Sequence, residues 1–595
     1  MRLRVPASWL RFGLWSALLS NAIPCAAGPV TVAWDANPEP NVAGYVLAYG
    51  TTSGSYPFVV DVGTATAREL TLPGGRWYFV VQAYDSDGLR SVRSAEASAV
   101  VSGPTDSDGD GLADAWEEQF GLDPGVATGD DGPLGDPDGD GLSNADEWVR
   151  GTHPRGFVSR YFAEGVNSAF FSTTLALANS NAESMTVVLR YLATNGTTTT
   201  RTVPLAPMTR ATIDTTTDPA LANRAFSVTL ESDRTFLADR LMSWGQGAYG
   251  AHAETSVSGP SLTWHFAEGA THSGFDLFYL IQNPGDASAQ VRVTYLRPTG
   301  TPVVKSYAVA AHTRFNIWVN LEDSRLASTD VSAVIESTNG VPIIAERSMY
   351  LSSPGQMFKA GHSSAGVTAP ATRWFLAEGA TGSYFDLFLL LSNPGTSAAT
   401  VRATYLLPSG RTLVRTYTVG PRSRFNIWVD REAPALADTA VSTSIESTNG
   451  VPIIAERTMW WPGGSSTWQE AHNSPGARST GTRWGAALGE VGGPQNRQTY
   501  LLVANTSPAP ATARVTLLFE DGATVQKVFS LAASSRFNVD VAAEFPAAAG
   551  RRFAALVESL GASPAQLVVE EALYWDAGGI AWAAGTNALA SRLTP

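Results

Sequence analysis

The segment IESTNGVPIIAER at residues 335–347 returns unchanged at residues 445–457. The surrounding sequence repeats with it, because WHFAEGATHSGFDLFYLIQNPG (264–285) returns as WFLAEGATGSYFDLFLLLSNPG (374–395) at the same offset of 110 residues. A period of this length far exceeds that of a solenoid repeat and is close to a whole β-sandwich domain. The repeat therefore predicts tandem domains, and the fold prediction depends on it.

Weaker copies flank these two, marked by YFAEG (161–165) before them and by TYLLVANTS (499–507) after them. The predicted units are residues 157–262, 263–372, 373–482 and 483–595. Within a unit, short alternating or apolar runs end at turn residues, which is typical of antiparallel strands. Each unit is expected to fold alone as an immunoglobulin-like sandwich. The phrases FAEG, NPG and PIIAER also resemble a family of bacterial surface repeats of unassigned function, which implies a location and an architecture but no activity.

Length and composition agree with a multidomain, mainly β protein. The 595 residues are too many for a single core, and 44% apolar with 16% charged residues is the composition of a soluble chain. The predicted fold class is an array of antiparallel β-sandwiches with one short spacer of loops and helices.

Residues 28–103 form the first predicted domain. Alternating strands such as VTVAW (30–34) and AGYVLAYG (43–50), followed by LPGGRW (72–77), resemble a fibronectin type III domain. The resemblance implies a sandwich of two antiparallel sheets. Trp77 departs from the pattern, since it stands where that family usually has its corner tyrosine, although an indole N–H can still donate a hydrogen bond.

The first 27 residues read as a secretory signal peptide. Three arginines precede a short apolar run, and Cys25-Ala26-Ala27 predicts cleavage after Ala27. Lipidation of Cys25 is the alternative, but Pro24 does not fit the usual lipoprotein signal. No later apolar run is long enough to span a membrane. The chain is thus predicted to be secreted or at the bacterial cell surface, without disulfides, so that calcium is a candidate stabiliser.

Negative charge is concentrated in one segment. The net charge is −14, and residues 106–147 hold fourteen Asp and Glu without a Lys or Arg. The rest of the chain is nearly neutral, which argues against nucleic-acid binding because that function needs a basic patch.

Two stretches of this segment, DSDGDGLADAWE (106–117) and DPDGDGLSNADE (136–147), match the EF-hand calcium loop at every liganding position. Such a loop takes oxygens from positions 1, 3, 5, 7, 9 and 12, with glycine at position 6. A solvated acidic linker would need neither the glycine nor the apolar residue after it. The predicted calcium ligands are Asp106, Asp108, Asp110, the Leu112 carbonyl, Asp114 and Glu117 in the first loop, and Asp136, Asp138, Asp140, the Leu142 carbonyl, Asn144 and Glu147 in the second.

Each loop is followed by a predicted short helix. The pair resembles bacterial thrombospondin type 3 repeats, in which calcium organises a compact spacer. A dockerin also pairs two such loops, but its basic and aliphatic recognition residues are missing here. Residues 104–156 are therefore interpreted as a calcium-dependent joint, whose loss of calcium is expected to expose it to protease.

Polar residues recur across the four units and allow two interpretations: a repeated sugar site or glycosidase carboxylate pair, or a structural network that joins the sheets of each sandwich. Four copies favour the structural network. The recurring sets are Arg210, Arg314, Arg424 and Arg536; Glu231, Glu336, Glu446 and Glu558; Asp239, Glu346, Glu456 and Glu570; and His252, His362 and His472 with Thr586. The recurring tryptophans Trp264, Trp374, Trp484, Trp318 and Trp428 are expected to fill cores; the alternative is that an exposed subset stacks on sugars.

The sequence thus predicts a non-enzymatic, monomeric protein with a structural or adhesive role, whose candidate partner is an extracellular glycan or a surface protein. The alternative is a carbohydrate-binding accessory protein of a polymer-degrading system, and an enzyme ranks third.

Overall fold

The computed structural model describes residues 3–4, 28–39, 41–72, 75–101, 105–245, 249–462, 468–577 and 579–594. The predicted signal peptide, its cleavage position and Cys25 lie outside these ranges, except for a two-residue strand, β1 (Leu3–Arg4). The chain divides into two compact units, Met1–Phe157 and Val158–Pro595. No helix among the described residues is long and apolar enough to cross a membrane.

The first unit contains a small sandwich of two antiparallel sheets, with strand orders β1-β2-β5 and β4-β3-β6-β7. Alternating apolar residues of the two sheets face each other, and Trp34, Tyr45 and Trp77 are buried between them. Two short helices follow, α1 (Asp114–Phe120) and α2 (Asn144–Arg150). The strands are β2 (Gly28–Trp34), β3 (Val42–Gly50), β4 (Phe58–Gly63), β5 (Ala67–Leu72), β6 (Gly75–Asp85) and β7 (Ala97–Val101).

The second unit contains four sandwiches, and its strands fall within the four units read from the sequence. The first sandwich pairs the sheets β13-β10-β15-β16 and β12-β11-β14-β8, with β9 beside β14. Its strands are β8 (Val158–Phe162), β9 (Val166–Asn167), β10 (Phe171–Asn179), β11 (Met185–Ala193), β12 (Thr198–Leu205), β13 (Thr209–Asp214), β14 (Arg224–Ser232), β15 (Leu237–Trp244) and β16 (Gly250–Thr255).

The second and third sandwiches have the same topology as each other. Their sheets are β17-β22-β19-β20 with β21-β18-β23-β24, and β25-β30-β27-β28 with β29-β26-β31-β32. Their strands are β17 (Thr263–Phe266), β18 (Phe275–Asn283), β19 (Ala289–Leu296), β20 (Val303–Val309), β21 (Thr313–Trp318), β22 (Ser332–Ser337), β23 (Ile344–Ser353), β24 (Gln356–Ala365), β25 (Arg373–Leu376), β26 (Asp386–Asn393), β27 (Ala399–Leu406), β28 (Thr412–Val419), β29 (Ser423–Trp428), β30 (Ser442–Ser447), β31 (Ile454–Trp461) and β32 (Glu470–Pro475).

The fourth sandwich adds a helix and a terminal strand, with sheets β37-β36-β39-β33-β42 and β38-β35-β40-β41 and with β34 beside β39. Its elements are β33 (Arg483–Ala486), β34 (Glu490–Val491), β35 (Gln498–Asn505), β36 (Ala511–Phe519), β37 (Thr524–Leu531), β38 (Ser535–Asp540), α3 (Val541–Glu544), β39 (Arg551–Leu560), β40 (Leu567–Ala577), β41 (Ile580–Leu589) and β42 (Ser591–Thr594).

The four sandwiches form a closed ring. Strand β16 of the first contacts β24 of the second, β24 contacts β32 of the third, β32 contacts β41 of the fourth, and β41 contacts β16 again. These four strands therefore surround a common axis. The sheet that contains one of them is the inner sheet of its sandwich, and the other sheet is the outer one. The expectation that each sandwich folds alone needs correction, because each one buries an edge of its inner sheet against both neighbours.

Candidate metal centre

The two acidic loops have the same backbone geometry. In the first loop, Asp106 accepts hydrogen bonds from the N–H groups of Gly109 and Gly111 at 2.8 and 3.1 Å. Asp136 accepts the same pair from Gly139 and Gly141 at 2.9 and 3.1 Å. Gly111 and Gly141 have φ of 102° and 90°, a region that favours glycine. The glycine at position 6 is thus required by the turn in both loops.

Three aspartates converge in each loop. The carboxylates of Asp106, Asp108 and Asp110 offer oxygens within 4.8 Å of one another, and those of Asp136, Asp138 and Asp140 do the same. Each cluster could hold a metal ion. Without a cation, like charges at this separation repel one another, which raises the free energy of the folded loop.

Glu117 supplies the strongest sign that the first cluster is built for a cation. It is the last residue of the loop, lies on α1 and is fully buried, and neither carboxylate oxygen has a hydrogen-bond partner among the described residues. Burial, together with the charges of Asp110, Asp108 and Asp106, raises the pKa of Glu117 to about 8. A buried carboxylate that lacks donors and faces three others fits a bidentate ligand of a hard divalent cation.

The second loop ends in the same way on α2, where Glu147 is buried. Asn144 donates its amide hydrogens to the carbonyls of Asp130 and Gly132 at 2.9 and 2.8 Å. This leaves the Asn144 Oδ1 atom buried without a hydrogen-bond partner among the described residues. An amide oxygen held in this way also fits an oxygen-binding cation.

Position 9 of the first loop differs from position 9 of the second. The carboxylate of Asp114 accepts hydrogen bonds from the N–H and hydroxyl groups of Ser107 at 2.7 and 2.6 Å. In EF-hand loops the residue at position 9 often binds the ion through a water molecule. A carboxylate that already accepts hydrogen bonds from Ser107 is compatible with that role. Leu112 is buried and Leu142 half-buried, and ligation by their carbonyls stays a prediction.

Aromatic contacts connect the loops to each other and to the sandwich of the same unit. Trp116 of α1 meets Trp148 of α2 edge to face, with ring centroids 5.3 Å apart. A Cβ on Gly111 would lie 2.9 Å from Trp77 of the sandwich core. The sequence did not predict this contact, because the turn alone already explains the glycine.

The recurring polar residues of the ring join neighbouring sandwiches. Arg347 of the second sandwich donates to Glu456 of the third at 2.7 Å, and Glu456 also accepts the Ala267 N–H at 2.5 Å. The same pattern links Arg240 with Glu346 and Arg457 with Glu570, both at 2.7 Å. The predicted network within each sandwich is therefore corrected to one between sandwiches, since these side chains lie on β15, β23, β31 and β40, each of which pairs with one of the four axial strands.

The other recurring sets form two groups: the arginines bind a neighbouring sandwich, and the glutamates pair within their own sheets. The Arg314 guanidinium donates to the Gly165 carbonyl of the preceding sandwich at 2.7 Å, and Arg424 and Arg536 donate to Gly269 and Ala377. Arg210 completes the circle by donating to Ala487 of the fourth sandwich at 2.9 Å. In contrast, Glu231, Glu336, Glu446 and Glu558 pair within their own sheets, with Arg190, Arg292, Arg402 and Arg514.

The histidines and tryptophans are less uniform than the sequence predicted. His252 and His472 hydrogen-bond Tyr350 and Tyr574 of the next sandwich, both at 3.1 Å, while Thr586 accepts the Ala253 N–H at 2.5 Å. Trp264, Trp374 and Trp484 are buried as expected. Trp318 is 42% exposed, so its assignment to a core is wrong; Trp428 is half-buried and lies under the Arg431 guanidinium.

Comparison with known proteins identifies the acidic segment. Residues 106–124 and 136–152 match the family model of the Bacterial TSP3 repeat. No curated protein matches the chain. The fold and the loops thus define a mainly β, tandem-repeat protein whose acidic segment is similar to the Bacterial TSP3 repeat.

Three solved structures show distant similarity. Thermotoga maritima 1070 matches with 19% identity and a TM-score of 0.17, over 18% of this chain and 96% of that one. The Anabaena sensory rhodopsin transducer matches with 27% identity and a TM-score of 0.13, over 15% and 96%. A tetra-tandem repeat from the extending region of a large adhesion protein matches with 12% identity and a TM-score of 0.09, over 71% and 95%.

Proposed function

We propose that this protein is a secreted or surface-located, non-enzymatic scaffold whose segment 104–156 is ordered by two calcium ions. The observation that carries the proposal is Glu117, a fully buried carboxylate without a hydrogen-bond donor among the residues that the structure describes, at the end of a loop with three converging aspartates. The match of both loops to the Bacterial TSP3 repeat supports the same function and an extracellular location.

Calcium is the proposed ion because the donor set consists only of oxygens. Carboxylates, an amide oxygen and backbone carbonyls are the ligands that Ca²⁺ takes, and the sharp turn at a glycine is typical of its loops. Binding would convert repulsion among four carboxylates into ligation. It would also fix α1 and α2, whose aromatic residues Trp116 and Trp148 pack together.

A structural role for the ring is supported by the state of its recurring acids. Glu346, Glu456 and Glu570 are almost fully buried, and each accepts an arginine N–H and a backbone N–H. Acids held in this way cannot approach a substrate, so they are poor candidates for a glycosidase pair. We expect the full-length protein to hydrolyse none of a panel of chromogenic glycosides.

Calcium titration of the full-length protein by calorimetry, with limited proteolysis in parallel, tests the main proposal. We expect two binding events and slower cleavage within residues 104–156 when calcium is present. No heat of binding at millimolar calcium, or cleavage of this segment at an unchanged rate, would contradict the proposal.

Carbohydrate binding is a second candidate, supported by a cavity of about 220 Å³ between the second and third sandwiches. Phe388, Trp460 and Trp468 line it together with the polar residues His272 and Asp330. Aromatic rings beside carboxylate and imidazole groups are a common setting for a sugar ring. The third sandwich has Gly382 and Ala440 at the positions of these two polar residues, so it does not repeat the polar pair.

A glycan array probed with the native protein and with a double variant tests this candidate. His272→Gly with Asp330→Ala gives the second sandwich the residues that the third already has, so folding should be preserved. Binding by the native protein and its loss in the double variant would support the second candidate. Equal binding by both proteins would exclude this cavity as the sugar site.

A further inference from the structure

A second cavity lies at one end of the ring axis. Its volume is about 360 Å³, and residues that end or follow β16, β24, β32 and β41 line it, so that all four sandwiches contribute to its wall. The cavity exists only because the ring is closed.

Three arginines line this cavity: Arg160 of the first sandwich, Arg478 of the third and Arg592 of the fourth. In the part of the chain that the structure describes, no carboxylate forms an ion pair with any of them. Arg160 and Arg592 donate to the carbonyls of Ser159 and Thr480 at 3.0 and 3.2 Å, which fixes part of each side chain. Most of their N–H groups stay available to a ligand.

Comparison among the sandwiches shows that these arginines are additions to the common repeat. The pairing of β8 with β14 places Arg160 where the other sandwiches have Trp264, Trp374 and Trp484. Arg478 and Arg592 lie three residues beyond the last pair of the inner sheet, where the first and second sandwiches have Ser258 and Thr368. The fold alone therefore does not require a cation at these positions.

Two further groups of the first sandwich complete the wall. The Ser256 hydroxyl is buried without a hydrogen-bond partner among the described residues, although the other sandwiches have Gly366, Gly476 and Ala590 there. Glu254 accepts the Ala365 N–H at 2.8 Å. Burial raises the pKa of Glu254 to about 8, so at neutral pH it is largely uncharged and does not neutralise the arginines.

From this arrangement we propose that the axial cavity binds a compact anion that carries two or more phosphate, sulfate or carboxylate groups. Guanidinium groups recognise such groups by paired, charge-assisted hydrogen bonds, and three of them on separate sandwiches fit a ligand with several charges. The ligand is either a free small anion or the charged end of an acidic polysaccharide. This site goes beyond the scaffold role, and it would connect three of the four sandwiches through one ligand.

Calorimetric titration of the full-length protein in calcium-free buffer, with inorganic tripolyphosphate and with a sulfated disaccharide as separate probes, tests the proposal. We expect binding of at least one probe, and the preferred probe distinguishes the two sources. The variant Arg478→Ser with Arg592→Ser should lose affinity at least tenfold. The control Arg411→Ser with Arg422→Ser removes two exposed arginines of the third sandwich that do not line the cavity, and should change affinity less than twofold.

Thermal unfolding gives an independent readout, because a ligand that bridges sandwiches stabilises the native ring. The bound probe should raise the midpoint of the native protein and of the control variant, but not that of the Arg478→Ser, Arg592→Ser variant. The proposal is overturned if neither probe binds at millimolar concentration. It is also overturned if the cavity variant, with a native unfolding midpoint, binds as tightly as the control.

Discussion

At the scale of single residues, Glu117 and Glu147 occupy the same loop position on α1 and α2. Glu117→Gln keeps the volume but removes the charge that a bidentate ligand needs. We expect the calcium affinity of the first loop to fall at least tenfold, or ~1.4 kcal/mol, while the second loop keeps its affinity. Calorimetry of the single variants Glu117→Gln and Glu147→Gln measures this, since each should weaken one of two events.

A matched control removes a carboxylate outside both clusters. Glu118 is the neighbour of Glu117 on α1 but is exposed, and Glu118→Gln should leave both binding events unchanged. If Glu117→Gln binds two calcium ions with native affinity, Glu117 is not a ligand and the first loop has been interpreted wrongly.

The residues of the loops could be predicted because a loop of this kind is local. Ligand spacing, the glycine of positive φ and the following helix all lie within twelve positions, so sequence order determines geometry. The residues at the seams, which are the contacts between neighbouring sandwiches of the ring, show the opposite case. Arg347 lies in the segment that repeats unchanged but was not among the recurring residues singled out, and its partner Glu456 belongs to another sandwich, 109 residues away. Nothing local distinguishes that partner from an acid on the same sheet.

At the scale of elements, the seams depend on buried charge. Arg347 on β23 is fully buried and donates to Glu456 and to the Glu268 carbonyl at 2.7 and 2.9 Å. Arg347→Met leaves Glu456 buried beside an apolar side chain, and breaking a buried pair in this way costs about 3–5 kcal/mol. Urea unfolding of the full-length protein, followed by tryptophan fluorescence, measures the loss.

The control for this variant is Arg292→Met, which breaks a pair in the outer sheet of the same sandwich. Arg292 and Glu336 are 3.0 Å apart, but their side chains are 48% and 32% exposed. Such a pair contributes about 1 kcal/mol or less. Similar losses for the two variants would show that the seams do not hold the ring.

The seam between the fourth and first sandwiches departs from the other three. The first three sandwiches have Arg240, Arg347 and Arg457 at one position of the inner sheet. The fourth sandwich has Glu571 there, which is buried near Asp239. Burial, and then the charge of Asp239, raises the pKa of Glu571 to about 8, and burial raises the pKa of Asp239 to about 6. Arg210 lies near both carboxylates and partly offsets these shifts.

This seam should weaken as the pH rises. A carboxylate whose folded pKa is raised favours the protonated native state, so its penalty is absent below about pH 4 and complete above the folded pKa. Glu571→Gln removes the penalty of that residue. We expect the free energy of unfolding of this variant to fall less between pH 6 and 8 than that of the native protein, as measured by urea titrations at both values. A parallel decline of the two proteins would contradict the assignment.

At the scale of the whole molecule, the sequence predicted four sandwiches but not their closure into a ring. The repeats were visible because two copies align without a gap, and alternating strands suffice to predict a sandwich. The contact that closes the ring instead differs from the other three at a few positions. There Leu488, Glu571 and Thr586 replace the Glu, Arg and His of the other copies, and Asp239 accepts the Ala487 N–H at 2.5 Å. In the sequence, a residue that departs from the repeat because it has a new partner looks the same as one that departs by neutral substitution. Only the structure, which shows the partner, separates the two.

A closed ring should tolerate a new opening better than the loss of one member. Arg160 and Arg592 line the same axial cavity, so the two ends of residues 158–594 lie close together and a short Gly-Ser linker can join them. A circular permutant with this linker and new ends between Ala369 and Pro370 keeps all four seams. Its unfolding midpoint should lie within roughly 3 °C of that of unpermuted 158–594, whereas residues 158–482, which lack two seams, should melt roughly 10 °C lower.

Calorimetry should also show one transition for the permutant, because the seams couple the sandwiches. An open row of independent sandwiches predicts the reverse: the truncated chain would keep its midpoint, and the sandwiches of either protein would melt separately.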